Sequence, residues 1–270
     1  MNYLIKVLNF YLNSSVHVGL SVYAFIRLTE LYLVLPYNEP LDCFVFFGTI
    51  TGYNFVKYAG VAKLHHRSLT NNLKYIQVFS LVCFLLMCYY LTLLKVKTLL
   101  FICPFGLLTL LYAVPFFGNL QTNLRNISYL KIVVVALVWA GVTVLLPIYD
   151  VGNEFSIEVV FMMLQRFLFV MVLILPFDIR DMKFDAISLQ TIPRKIGVEN
   201  TKRVGFFILM ICLLLEFLIA EENVFRRVFF LVFLFSSILL MRAKEAQSKY
   251  YSSFWVEAIP FIWWVMLLIF

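Results

Sequence analysis

Apolar residues run along this chain in long unbroken blocks, with the polar residues gathered into short stretches between them. A bilayer core about 30 Å thick needs about 20 apolar residues per crossing helix. Nine runs approach that length, at 16–35, 42–60, 75–94, 98–117, 132–149, 157–177, 204–220, 224–241 and 254–270. The eighth is the weakest, because Arg226 and Arg227 leave only the 14 residues 228–241 free of charge. None shows the short two-residue alternation of barrel strands. The pattern predicts an all-α membrane protein with nine transmembrane helices. No linker, low-complexity tract or strong repeat interrupts 1–270, so a single polytopic domain is expected.

Charge placement then predicts orientation. With the N-terminus in the cytoplasm, that side receives 16 basic residues: Lys6, Lys57, Lys63, Arg67, Lys74, Arg125, Lys131, Arg180, Lys183, Arg194, Lys195, Lys202, Arg203, Arg242, Lys244 and Lys249. The far side receives only four, Lys95, Lys97, Arg226 and Arg227. Lys and Arg are retained on the cytoplasmic side of short loops, so the expected topology is a multi-pass integral membrane protein with a cytoplasmic N-terminus, in the inner membrane if the source is bacterial. The net charge of +7 is thereby assigned to membrane topology and not to nucleic acid. Composition agrees, since 63% of residues are apolar and only 14% charged, against about 45–50% and about 25% in soluble domains. The cysteines (Cys43, Cys83, Cys88, Cys103, Cys212) lie within or beside apolar runs without metal-ligand spacing and read as packing residues. No small-residue cleavage site precedes the first run, so a cleaved signal peptide is not expected.

Two long predicted cytoplasmic connections, 61–74 and 178–203, are rich in titratable groups. The second opens with Asp178, Asp181 and Asp185, spaced i, i+3 and i+7. On a helix these share one stripe, and three like charges on one stripe call for a cation among them. Mg²⁺ suits such a donor set, because it binds through one or two carboxylates completed by substrate phosphates. A plainer reading stays open, in which Asp178 and Asp181 pair with Arg180, Lys183 or Arg194 at a solvated helix end. Asp178 directly follows an apolar run, at a depth where a charge is costly and functional by default.

Here the sequence resembles the UbiA-type family of intramembrane prenyltransferases, whose members have nine helices. Asp178, Arg180, Asp181, Asp185, Thr191, Pro193 and Gly197 follow in order the family's second Asp-rich motif, and Tyr112-Ala-Val-Pro115 is similar to its Tyr-x-x-Pro element. The resemblance implies a UbiA-like bundle. It also implies transfer of an isoprenoid chain from a prenyl diphosphate to a lipophilic or aromatic acceptor at the cytoplasmic face. Mg²⁺ on Asp178, Asp181 and Asp185 would draw charge off the diphosphate as the allylic C–O bond breaks.

The family's first motif, Asn-Asp-x-x-Asp-x-x-x-Asp, is degenerate. Asn54 keeps its place, while Phe55, Tyr58 and Ala62 occupy the carboxylate positions. Basic residues surround it, and Lys and Arg can contact phosphate oxygens directly. Asn54, Lys57, Arg67 and Arg180 are therefore the expected diphosphate ligands, with Lys57 substituting for a lost metal; ordinary positive-inside anchoring is the competing reading for the basic residues. Adjacent His65 and His66 point apart on a helix and form no metal pair. Inside the runs, Arg27 and Glu30 are expected to pair at i, i+3, Arg166 lies too far from Asp178 for direct contact, and Glu216 has no local partner. The lost motif also keeps open a non-catalytic member that binds a lipid or prenyl diphosphate. A solute transporter ranks last, since the prolines cluster at run ends.

Overall fold

A computed structural model describes residues 3–62, 71–113, 130–183 and 191–270, and every regular element among them is helical. In chain order these are α1 (Tyr3–Asn13), α2 (Val16–Tyr32), α3 (Glu39–Ala62), α4 (Asn71–Thr92), α5 (Val96–Ala113), α6 (Leu130–Ala140), α7 (Leu146–Val151), α8 (Ile157–Asp181), α9 (Ile192–Ile196), α10 (Val198–Ile219), α11 (Asn223–Arg242) and α12 (Ile259–Ile269). Two π-helical turns, Gly141–Leu145 and Tyr251–Val256, join α6 to α7 and lead into α12. Six described segments are long and apolar enough to cross a membrane: Leu73–Thr92, Val96–Ala113, Leu130–Val151, Ile157–Asp181, Asn223–Arg242 and Tyr251–Ile269. Helices α2, α3 and α10 fall on the remaining three predicted runs but are shorter or more polar. Sequence patterning did not announce α1, which is largely exposed.

The core is built where α8 packs against α6 and α10, and α2 against α3 and α12. Phe25, Phe169, Phe229 and Trp263 interlock there, with the Trp263 ring centroid 4.9 Å from Phe229 and 5.7 Å from Phe169. Between helices in lipid there is little hydrophobic drive, so close van der Waals fit and interhelical hydrogen bonds hold them together. Gly205 supplies such a fit: a Cβ there would lie 2.7 Å from Leu175 and 2.8 Å from Leu240.

Proline explains the π turn in the α6–α7 segment. Pro147 has no N–H to offer the carbonyl of Thr143 four residues earlier. Thr29 Oγ1 on α2 donates to that carbonyl at 2.7 Å, so a helix break is repaired from a neighbouring helix. Pro260 stands in the same relation to Val256, at the end of the second π turn.

The charges of Arg27, Glu216 and Arg166 find partners, most of them on other helices. Arg27 pairs with Glu30 as expected, and its guanidinium also lies 3.6 Å from Asp42 on α3. Glu216 accepts from Tyr32 Oη at 2.7 Å and Gln165 Nε2 at 2.8 Å, partners on other helices that its own sequence neighbours could not reveal. Arg166 is buried, donates to the Phe25 carbonyl at 2.9 Å and lies 4.1 Å from the Phe25 ring centroid. All five cysteines are free thiols.

Candidate functional site

The end of the bundle at which α3 and α8 terminate gathers the residues singled out above. Helix α8 continues past its apolar run and carries Asp178, Arg180 and Asp181 in its last turn. Two of the three aspartates expected on one stripe, Asp178 and Asp181, lie on the described helix. Asp185 and Arg67 lie outside the described residues, as do His65, His66 and Pro115.

Asp178 is 1% exposed and accepts from Lys131 Nζ, at the start of α6, at 2.9 Å. Arg180 turns its guanidinium edge to Asp181, with Nε to Oδ1 at 2.7 Å and a second nitrogen to Oδ2 at 3.2 Å. Its remaining nitrogen donates to Ser252 Oγ at 3.0 Å and Ser253 Oγ at 3.1 Å in the second π turn. Each described aspartate thus already has a cation beside it, one of them the Arg180 that the plainer reading anticipated. Behind them, Arg194 donates to the Met182 carbonyl at 2.5 Å, and Gln247 donates to the Pro176 carbonyl at 2.8 Å.

Asn54 is 2% exposed and committed on every side. Its Nδ2 donates to the Ser14 carbonyl at 2.9 Å and to Ser80 Oγ at 2.7 Å, while its Oδ1 accepts from Ser15 Oγ at 2.8 Å. Ser15 sits between α1 and α2 with φ of 62°, a left-handed conformation that costs energy for a residue with a Cβ. Asn54 fastens that link. Lys57, one turn further along α3, reaches Ser15 Oγ at 2.8 Å, and Tyr58 Oη donates to the Asn13 carbonyl at 2.9 Å.

A residue unremarked in the sequence completes the cluster. Glu257 follows the second π turn, and its carboxylate lies within Coulombic range of both Lys57 and Arg180. Tyr11 and Tyr53 feel its charge from α1 and α3. His17 closes the rim, accepting or donating with Tyr11 Oη at 2.7 Å and with the Phe254 carbonyl at 2.9 Å. The available signal was a lone carboxylate inside the last apolar run, a functional candidate by default.

Among the described residues no three His, Cys, Asp or Glu side chains converge as a metal cage. Two carboxylates with hard oxygen donors do suit a single Mg²⁺ completed by phosphate oxygens. Phe55, 47% exposed at the first carboxylate position, offers no ligand for a second.

Comparison with known proteins bears on what this arrangement serves. No curated protein matches the chain. Among solved structures, a study of digeranylgeranylglyceryl phosphate synthase in membranes gives a protein 14% identical, with a TM-score of 0.58 and 98% of each chain covered. A UbiA homolog from Archaeoglobus fulgidus bound to GPP and Mg²⁺ is 14% identical, with a TM-score of 0.60 and 98% of each chain covered. The same homolog bound to DMAPP and Mg²⁺ is 13% identical with a TM-score of 0.57, covering 100% of this chain and 98% of that one. These likenesses establish the fold. The UbiA prenyltransferase family model matches residues 69–265, and with the apolar helices this makes the chain an integral membrane protein belonging to the UbiA prenyltransferase family.

Proposed function

We propose that this protein transfers an isoprenoid chain from a prenyl diphosphate to a lipophilic or aromatic acceptor, working at the cytoplasmic face of the membrane. One observation carries the reading: Lys131 and Arg180 pair with the carboxylates of Asp178 and Asp181 at one end of the bundle, and Lys57, from a third helix, lies with Arg180 in Coulombic range of Glu257. Lysine and arginine side chains placed there can bind phosphate oxygens, arginine with two nitrogens at once. Solved relatives bound to GPP or DMAPP with Mg²⁺ lend support. When bound, Mg²⁺ on Asp178 and Asp181 would supply Lewis-acid neutralisation of the leaving diphosphate. The protein's own contribution is positional. Ser252 and Ser253 hold Arg180 from the second π turn, and Asn54 holds the Ser15 hydroxyl on which Lys57 rests. Asn54 thus acts through Lys57, since neither of its amide hydrogens is left for a phosphate. Arg67 and Asp185 remain proposed ligands by their place in the sequence alone.

The same reading takes the chain as one polytopic domain whose nine long helical segments all cross the bilayer, with the N-terminus and the site cytoplasmic. The excess of Lys and Arg on that side supports it.

The test incubates detergent-purified protein with labelled geranylgeranyl diphosphate, Mg²⁺ and a membrane lipid extract, comparing wild type with Asp181→Asn. Release of diphosphate with labelled lipid product, abolished in the variant, is the expected result. Binding without release would replace transfer by a non-catalytic binding role, which the missing first motif favours. Absence of binding would overturn both.

A further inference from the structure

Glu257 is a carboxylate at this end of the bundle that the proposed mechanism does not use. Its neighbours in sequence are firmly packed: Ser252, Val256 and Ala258 are buried, and the Glu257 backbone carbonyl accepts from Ser21 Oγ on α2. Glu257 itself is half-buried, and its carboxylate lies within Coulombic range of Lys57 and Arg180. Among the described residues the carboxylate accepts no hydrogen bond and has no ion-pair partner within 4 Å, for Lys57 is turned to Ser15 and Arg180 to Asp181 and the two serines. The ionisable groups facing it are Lys57 and Tyr53 from α3, Tyr11 from α1 and Arg180 from α8.

Among the described residues named in this cluster, three cations stand with three carboxylates before any substrate arrives. Lys57, Lys131 and Arg180 are matched by Asp178, Asp181 and Glu257. A diphosphate brought to Lys57 and Arg180 meets a carboxylate already sharing their field, and like charges at short range favour the protonated form of the weaker acid. A carboxylic acid gives up that repulsion by taking a proton; an aspartate locked to arginine does not.

Resting on the anion-binding reading above, we propose that Glu257 is the proton-carrying group of this site: a diphosphate binding between Lys57 and Arg180 draws one proton onto the Glu257 carboxylate. The proton then lies beside the leaving group. As the allylic C–O bond breaks, its electron pair stays on the diphosphate oxygen, which takes the proton from Glu257. As the acceptor bonds to the allylic carbon it releases its own proton to the Glu257 carboxylate, and the cycle closes without net gain or loss. A protonated acid thereby does at this end of the site part of what the first Asp motif does with metal.

The experiment is isothermal titration of the detergent-solubilised protein with inorganic pyrophosphate and with geranyl diphosphate, in two buffers of different ionisation enthalpy. Comparison with Glu257→Gln cancels the ligand's own protonation. Wild type should take up more protons than the variant, by up to about one per site. The variant should bind several-fold tighter at neutral pH, and its affinity should fall less steeply as pH rises. Equal proton uptake in the two proteins, or weaker binding by Glu257→Gln, overturns the proposal. Glu257→Met serves as a second neutral variant should the first not fold, and Glu257→Asp should retain the uptake. If wild type binds neither ligand, the anion-site reading has failed first, a result distinguishable from binding without linked protonation.

Discussion

Arg180→Lys separates charge from geometry at the site. The arginine makes two bonds to Asp181 and one each to Ser252 and Ser253, all between 2.7 and 3.2 Å. A lysine keeps the positive charge but presents a single ammonium on a flexible stem, and it cannot span both a carboxylate edge and two hydroxyls on another helix. At least two of the four bonds must go. Hydrogen bonds to charged groups contribute about 1.5–3 kcal/mol each, but both partners are partly exposed, at 21% and 29% for their side chains. Solvent screening moves the value to the lower end, about 1 kcal/mol per bond. Loss of two then amounts to about 2 kcal/mol, or about 30-fold in an equilibrium constant. Part of this falls on stability, because Arg180 ties the end of α8 to the second π turn, and part on diphosphate affinity. The assay is paired: thermal unfolding in detergent, and titration with geranyl diphosphate. Arg180→Lys should bind about 10-fold more weakly than wild type, and Arg180→Gln, which loses the charge as well, more weakly still. If the lysine variant binds and unfolds like wild type, the guanidinium fork has no special role and the geometric argument is wrong.

Further outcomes follow from single contacts. Thr29→Val removes the hydroxyl that satisfies the Thr143 carbonyl and should cost about 1–2 kcal/mol of stability in a denaturant titration, with diphosphate affinity unchanged. Gly205→Val should destabilise by about 1–3 kcal/mol through overpacking against Leu175 and Leu240, read as a lower midpoint of thermal unfolding. Glu216→Leu strips acceptors from Tyr32 and Gln165 and should cost about 1–3 kcal/mol, more than Thr29→Val, by the same denaturant titration. Chelation of Mg²⁺ by EDTA should weaken geranyl diphosphate binding in wild type, with a smaller effect in Asp181→Asn; an equal effect in both would remove Asp181 from the metal site.

The nine apolar runs located helices because a bilayer imposes length and hydropathy directly on the sequence. What the runs could not foretell depends on other helices. The π turn at Gly141–Leu145 stands because Thr29, more than a hundred residues away, repairs the carbonyl that Pro147 abandons. The partners of Glu216 come from α2 and α8, so no local spacing could identify them. Of the i, i+3, i+7 aspartate stripe, Asp178 and Asp181 lie in the last turn of α8, and Asp185 lies outside the described residues. Arg180 was expected among the diphosphate ligands, but its hold on Ser252 and Ser253 required knowing that the last helix passes there. Asn54 matched a motif position, and motif matching says nothing of whether its hydrogens are free.

The degenerate first motif acquires a physical sense from these contacts. Replacing three carboxylates by Phe55, Tyr58 and Ala62 removes negative charge from α3, and with it the means of holding a cation there. A diphosphate site needs that positive charge from somewhere. On the proposed reading Lys57, fixed by Ser15, restores one unit permanently and so does not depend on metal supply. A fixed lysine cannot leave with the product or vary its charge during the reaction, however, whereas a metal ion can leave with the diphosphate. A carboxyl able to take and return a proton supplies the missing variable charge, and Glu257 stands where Lys57 and Arg180 both feel it. The two residues should therefore be coupled. Lys57→Met alone should weaken geranyl diphosphate binding, and Glu257→Gln alone should strengthen it. The double variant should bind more tightly than Lys57→Met by a smaller factor than Glu257→Gln gains over wild type. That follows because less anion is drawn close to Glu257 once Lys57 is gone. Strict additivity across this cycle would mean that the lysine and the glutamate act on separate events.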